Sequence, residues 1–128
     1  MRGNTVIVSE LSPQPHDTGM VTMFSQDLSD FELHLRAVLG LPIPPITYRG
    51  PSASAVILAD FDSERTPAYP GVADALRTPG VEVRILSKPS ARPCRRMGVA
   101  LATGRTVAEA RRKARAAAAC VRVAKGLV

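Results

Sequence analysis

The chain has no Trp, only two Tyr and three Phe in its 128 residues. A core must therefore be built from Val, Leu, Ile and Ala. The basic segments carry no interleaved aromatics, which leaves no platform for stacking on nucleic-acid bases. Cysteine is almost as scarce. Cys94 and Cys120 lack metal-ligand spacing and read as free thiols in a reducing compartment. No apolar run is long enough to cross a bilayer. Met1-Arg2-Gly3-Asn4 leads into no apolar h-region and cleavage site, so it is not a secretory signal. These absences predict a cytoplasmic chain with a modest aliphatic core and no membrane partner. Its length fits one domain, or two small pieces of a larger protein.

Charge is present but unevenly placed. Residues 1–80 hold 5 Lys/Arg and 9 Asp/Glu, net −4; residues 81–128 hold 12 Lys/Arg and 2 Asp/Glu, net +10. The basic half points to a phosphate-bearing partner, either a nucleotide-like small molecule or a nucleic acid.

The most informative stretch is Val6-Ile7-Val8-Ser9-Glu10-Leu11-Ser12-Pro13-Gln14-Pro15-His16-Asp17-Thr18-Gly19. A β-branched run, Thr5 to Leu11, predicts a strand carrying Glu10 near its end. A chain that opens directly on such a strand looks cut from something longer. Pro13 and Pro15 stiffen the following loop, which bears His16 and Asp17 side by side. By residue type this is a polar loop between two elements. Loops leaving strand ends are also where chemistry concentrates.

Ser29 to Leu39 is expected to be a helix. Ser29 and Glu32 make a capping box, and Phe31, Leu35, Val38 and Leu39 one apolar face. His34 on that helix reads as an exposed or half-exposed side chain rather than a ligand. Four prolines between Leu41 and Pro51 mark a boundary between substructures. Ala53 to Ala59 is a small strand. Asp60 to Pro70 is a polar surface loop without ordered ligand spacing, and Gly71 to Arg77 a short helix. Val81 to Ile85 alternates as a half-buried strand and Met97 to Ala102 is a second. The two are expected to pair as a hairpin whose loop carries Lys88, Arg92, Arg95 and Arg96. A helix runs from Thr106 to about Val121, with Thr106 and Glu109 repeating the capping pattern. Its small stripe of Val107, Ala110, Ala114, Ala117 and Val121 would pack closely on a sheet. Arg111, Arg112, Lys113 and Arg115 form a solvated basic face; no helix-turn-helix or zinc spacing accompanies them.

Two charged sets could act together. Glu10 and Asp17 are placed as carboxylates at a strand end and in a stiff loop, which suits a magnesium ion bridging nucleotide phosphates. Lys88, Arg95 and Arg96 suit a phosphate monoester, whose oxygens guanidinium groups bind in fork geometry. On residues alone the chain is open to three functions: part of a phosphate-handling enzyme, a non-catalytic module binding a phosphorylated ligand or partner protein, or a basic nucleic-acid binder.

The stretch Ser9 to Thr22 resembles the end of the ATP-grasp domain in formate-dependent phosphoribosylglycinamide formyltransferases. Further matches follow in the same order: Gln26-Asp27-Leu28-Ser29, Leu39-Gly40-Leu41-Pro42, Gly50 to Leu58, Lys88-Pro89, and Arg95-Arg96-Met97-Gly98-Val99-Ala100-Leu101-Ala102. The related purine carboxylating enzymes carry an Asn-Ser-Gly type loop where this chain has Asp17-Thr18-Gly19. The resemblance spans nearly the whole chain but only the C-terminal third of such an enzyme. It implies an α+β chain. Residues 1–40 would end an ATP-grasp domain, and residues 41–128 would form a small β-rich C-terminal domain, rudiment single-hybrid-like, closed by a helix over 106–122. It also implies an enzyme of de novo purine biosynthesis that makes formyl phosphate from formate and ATP and passes the formyl group to glycinamide ribonucleotide. By position Glu10 matches a magnesium ligand, and Asp17, Lys88, Arg95 and Arg96 match ribonucleotide-binding residues; His16 keeps a loop-ordering role. No catalytic residue is implied in this stretch. ATP and Mg2+ would sit mostly on an N-terminal ATP-grasp portion that this chain lacks, in an enzyme that is a homodimer when complete, so the isolated chain is expected to be inactive. Gln14 stands where the family usually has Arg, and Ser87 and Cys94 where glycine is common.

Overall fold

The computed structural model describes residue 8 and residues 11–126. Most of the strand expected over Thr5 to Leu11, Glu10 included, lies outside the described residues. A 3-10 turn over Asp17–Val21 leads into α1 (Thr22–Ser25) and α2 (Asp30–Leu39). The chain then forms β1 (Ser52–Leu58), β2 (Pro67–Ala68), α3 (Val72–Leu76), β3 (Val81–Ile85), β4 (Arg96–Thr103), α4 (Val107–Cys120) and β5 (Ala124–Lys125). The architecture is mixed α/β, with a small antiparallel sheet and a long helix close to the C-terminal end.

The sheet is organised on β4. Residues 97–102 are all buried, as a continuous apolar run in a central strand requires. The expected hairpin forms, with Val81 opposite Ala102 and Ile85 opposite Gly98. On its other side β4 takes β1, with Ser52 opposite Thr103 and a register shift between Ile57 and Leu58. α4 lies over one face. Ala110, Ala114, Ala117 and Val121 pack with Ala53, Ile57, Val81, Ala100 and Ala102. Small side chains on both surfaces let helix and sheet approach closely while keeping the interior dense. The stripe starts one turn later than expected, since Val107 is exposed. A second cluster gathers Ala59, Ala91 and Met97, with Phe61, Tyr69 and Val123 against it. The pairing of β2 with β5 returns the chain after α4 toward this cluster.

α2 is capped as expected. The Ser29 side chain accepts from the Glu32 backbone N–H, and Glu32 accepts from the Ser29 N–H at 2.8 Å. Gly40 ends the helix in the left-handed region at φ 64°. Asp27 Oδ1 accepts from Leu28 N–H at 2.8 Å and from Thr47 N–H at 3.1 Å. With the Gln26–Tyr48 bridge, this ties the proline-rich segment back to the start of α2. No α2 residue is buried; Phe31, Leu35, Val38 and Leu39 all stand exposed. His34 is exposed as expected.

α4 is capped by half a box. Thr106 Oγ1 accepts from Glu109 N–H at 3.2 Å, but the Glu109 carboxylate accepts from Arg105 N–H at 3.0 Å rather than from Thr106. These backbone donors hold acids below their usual range: Thr47 N–H acts on Asp27, Ser29 N–H on Glu32 and Arg105 N–H on Glu109. A carboxyl lowered in the folded state stabilises it above the unfolded value, and that contribution is lost as pH falls through the folded value. Melting temperature should therefore be flat above the ordinary glutamate value of 4.5 and fall below it. Thermal melts across that range check this, and Glu32→Gln or Glu109→Gln should flatten the decline.

Candidate functional site

The basic β3–β4 connection, residues 86–95, is fixed by its backbone. Leu86 N–H donates to Met97 O at 2.9 Å, and Ala91 exchanges bonds with Ser63 at 2.8 and 3.0 Å. Cys94 N–H donates to Ala59 O at 2.9 Å, and Ala59 N–H to Arg95 O at 3.0 Å. Ala91 is fully buried at the middle of this connection. A loop so pinned presents its cations from a rigid base rather than a floppy one.

Two non-glycine residues in it have left-handed backbones, Ser87 at φ 47° and Cys94 at φ 63°. These are the two positions where the resemblance leads one to expect glycine, and the backbone supplies the reason. A Cβ in this region costs roughly 1–2 kcal/mol, partly offset by the extra freedom glycine brings to the unfolded chain. Cys94→Gly is therefore expected to stabilise the fold by about 0.5–1 kcal/mol, read as a higher denaturant midpoint with an unchanged slope. A lower midpoint would mean that the Cys94 side chain contributes packing.

Arg96 is the first residue of β4, opposite Leu58 at the register shift. Asp17, at the start of the 3-10 turn, reaches it across 79 residues of sequence: Arg96 Nη2 donates to Asp17 Oδ2 in a tight ion pair. The turn is closed by Gly19 N–H donating to His16 O at 2.9 Å, and His16 Nδ1 lies 2.6 Å from Asp17 Oδ1. His16 thus contacts the carboxylate beside it in the same loop. Asp17 and Arg96 are about one-third exposed, at 29% and 32% of their side-chain surface. Water screens such a pair only partly. Arg96 Nε is buried and has no hydrogen-bond partner among the described residues.

The remaining cations are placed differently. Arg95 Nη1 donates to Ser90 Oγ at 2.8 Å and to Ser90 O at 3.3 Å. Lys88 is half-buried in the same connection, with no ion pair among the described residues. The structure thus joins Asp17 to Arg96 directly and ties Arg95 to its own loop. Glu10 lies outside the described residues, among which no three His, Cys, Asp or Glu side chains come together to hold a metal. Ser90, buried beneath Arg95, had no sequence signal: a serine in a basic loop looks like any other. Arg111, Arg112 and Arg115 of α4 are exposed, as expected of a solvated face, but Lys113 is half-buried: its Nζ lies 3.4 Å from Glu109 Oε1 and donates to Pro79 O at 3.3 Å. Among the described residues no helix is long and apolar enough to cross a membrane.

The family model described as PurT, C-terminal, matches residues 52–121, from the first residue of β1 to the residue that caps α4. The chain belongs to this PurT C-terminal family. It is 60% identical over 124 residues to formate-dependent phosphoribosylglycinamide formyltransferase of Synechococcus sp. (strain CC9902), a match covering 97% of this chain and 31% of that protein. The chain thus spans about a third of the length of such PurT relatives. Among solved structures it resembles N5-carboxyaminoimidazole ribonucleotide synthetase from Thermotoga maritima, with TM-score 0.85, 29% identity and coverage of 98% of this chain and 35% of that one. It also resembles glycinamide-RNase-transformylase T from Mycobacterium tuberculosis, with TM-score 0.63, 34% identity and coverage of 84% and 26%. The backbone is shared by both kinds of enzyme. Identity is 60% with the Synechococcus formyltransferase, against 29% with the Thermotoga synthetase.

Proposed function

We propose that the chain is the ribonucleotide-recognising C-terminal part of a formate-dependent phosphoribosylglycinamide formyltransferase. The observation that carries this reading is the Asp17–Arg96 ion pair. It gathers an acid and a cation at the start of β4, in continuity with Arg95 and with the loop that bears Lys88. Lys88, Arg95 and Arg96 would bind the 5′-phosphate of glycinamide ribonucleotide, and Asp17 its amine-bearing end. Charge-assisted bonds to phosphate are the strong kind, and guanidinium geometry suits them. Formate, ATP and most of the Mg2+ site would belong to the part of the enzyme outside this third. Glu10 would add one carboxylate to a magnesium site completed by residues from elsewhere; when bound, the ion neutralises nucleotide phosphate charge. Residues 1–40 would close an ATP-grasp domain and residues 41–128 form the small C-terminal domain, in a cytoplasmic homodimer.

The exposed apolar face of α2 supports the division. An amphipathic helix with no buried residue is poorly satisfied alone, and it would be covered by the rest of such an enzyme.

The 128-residue chain should bind glycinamide ribonucleotide more tightly than inorganic phosphate in calorimetric titration, yet release no ADP from ATP and formate. Phosphoryl transfer depends on positioning and charge neutralisation by a full set of parts. ADP release abolished by Glu10→Ala would show that the chain holds its own ATP chemistry. Equal affinity for both ligands would remove the ribonucleotide from the reading.

A further inference from the structure

Arg95 is the one cation of the site whose guanidinium is held by a nearly buried hydroxyl. Ser90 is only 8% exposed, and its neighbour Ala91 is fully buried and bridged to Ser63. The hydroxyl is therefore anchored to the framework rather than to a mobile turn. Both Ser90 acceptors, Oγ and the carbonyl O, take protons from the same Arg95 nitrogen, Nη1. That fixes the guanidinium plane, since two acceptors on one nitrogen restrict rotation about the long side chain. It also decides which edge remains available. Arg95 Nε and Nη2 make no hydrogen bond among the described residues. These two donors form the side-on edge of the fork, the edge that accommodates a pair of oxygens on one phosphate.

We propose that Ser90 is a positioning residue for phosphate recognition: it clamps Arg95 through Nη1 so that the Nε–Nη2 edge is presented to the ribonucleotide phosphate. This rests on the reading of Arg95 as a phosphate-binding residue. Ser90 acts through Arg95 and has no independent share in affinity. Without the clamp Arg95 keeps its charge but must be ordered on each binding event, a cost that preorganisation removes.

The test is a double-mutant cycle on the 128-residue chain, with glycinamide ribonucleotide and inorganic phosphate as probes in calorimetric titration. Arg95→Ala should weaken ribonucleotide binding about ten-fold. Ser90→Ala should weaken it three- to ten-fold, and Ser90→Thr, which keeps the hydroxyl, should restore it to within about two-fold. The double variant should bind no worse than Arg95→Ala alone, because the clamp has nothing left to hold. The Arg95 Nε–H NMR signal, distinct in wild type, should broaden or average in Ser90→Ala and return in Ser90→Thr. Additive losses in the double variant would overturn the inference, since Ser90 would then act independently of Arg95. So would a ten-fold loss in Arg95→Ala beside an unchanged Ser90→Ala; in that case the phosphate reading survives and only the clamp fails. A wild-type chain that binds neither probe overturns the phosphate reading and the clamp with it.

Discussion

Gly71→Ala is expected to cost about 3 kcal/mol or more of folding stability, at the high end of single-residue effects. Gly71 sits at φ 92°, where an added side chain is strained by roughly 1–2 kcal/mol before any contact is counted. The contact is worse than the strain. A Cβ at Gly71 would lie 1.9 Å from the Cys120 carbonyl oxygen and 2.9 Å from its carbonyl carbon. Both are backbone atoms at the end of α4, so no rotamer change relieves the clash. Neither side can easily move. Gly71 O accepts from Ala75 N–H at 3.0 Å to start α3, and Pro70 O accepts from Arg122 N–H at 3.0 Å just beyond α4. Accommodation means shifting the end of α4, whose Ala117 and Val121 are core residues. With total stabilities of small domains near 5–15 kcal/mol, most of the margin could go. Urea unfolding of wild type and Gly71→Ala measures it. A loss below about 1 kcal/mol would mean that the α3–α4 corner is far more yielding than its packing indicates.

The sequence made the local elements legible and the long-range ones much less so. Capping boxes announced both long helices, because Ser29-x-x-Glu32 and Thr106-x-x-Glu109 are short-range patterns with a short-range cause. The alanine stripe of α4 predicted close packing on a sheet, and α4 lies there. The β3–β4 hairpin was readable because its strands are near in sequence. The pairing of β1 with β4 was not: Ser52 meets Thr103 and Leu58 meets Arg96, far apart in the chain, and no periodicity names a strand's partner. β2 and β5, two residues each, are too short to carry a pattern. The apolar face of α2 was read correctly as a pattern, but its exposure follows from what else is present to cover it, which a helical wheel does not hold. In the site, residue types suggested phosphate chemistry, and the resemblance named Asp17, Lys88, Arg95 and Arg96. Only coordinates could join Asp17 to Arg96 or place Ser90 under Arg95, because those contacts depend on where the chain returns. The positive φ of Ser87 and Cys94 gives a physical reason for the glycines that the resemblance leads one to expect there.

Arg96→Ala is expected to weaken glycinamide ribonucleotide binding ten-fold or more, and Asp17→Asn to separate the two ends of that ligand. Each well-placed charge-assisted bond contributes roughly 1.5–3 kcal/mol, which is about ten-fold or more in affinity. Removing Arg96 takes such a donor away and also leaves Asp17 without its ion-pair partner. A carboxylate left, among the described residues, with only His16 beside it then repels the phosphate, so inorganic phosphate should suffer as well. Asp17→Asn works in the opposite sense on the two ligands. The amide oxygen can still accept from Arg96, so the guanidinium stays in place, but its charge is no longer neutralised. Phosphate should bind unchanged or more tightly. The ribonucleotide should bind more weakly, because its amine-bearing end loses the carboxylate that it would meet. Titration of wild type, Arg96→Ala and Asp17→Asn with both ligands reads these signs directly. If Asp17→Asn weakens both ligands equally, Asp17 acts only by orienting Arg96 and does not meet the amine. If Arg96→Ala leaves ribonucleotide affinity unchanged, the assignment at position 96 is wrong, whatever family the chain belongs to.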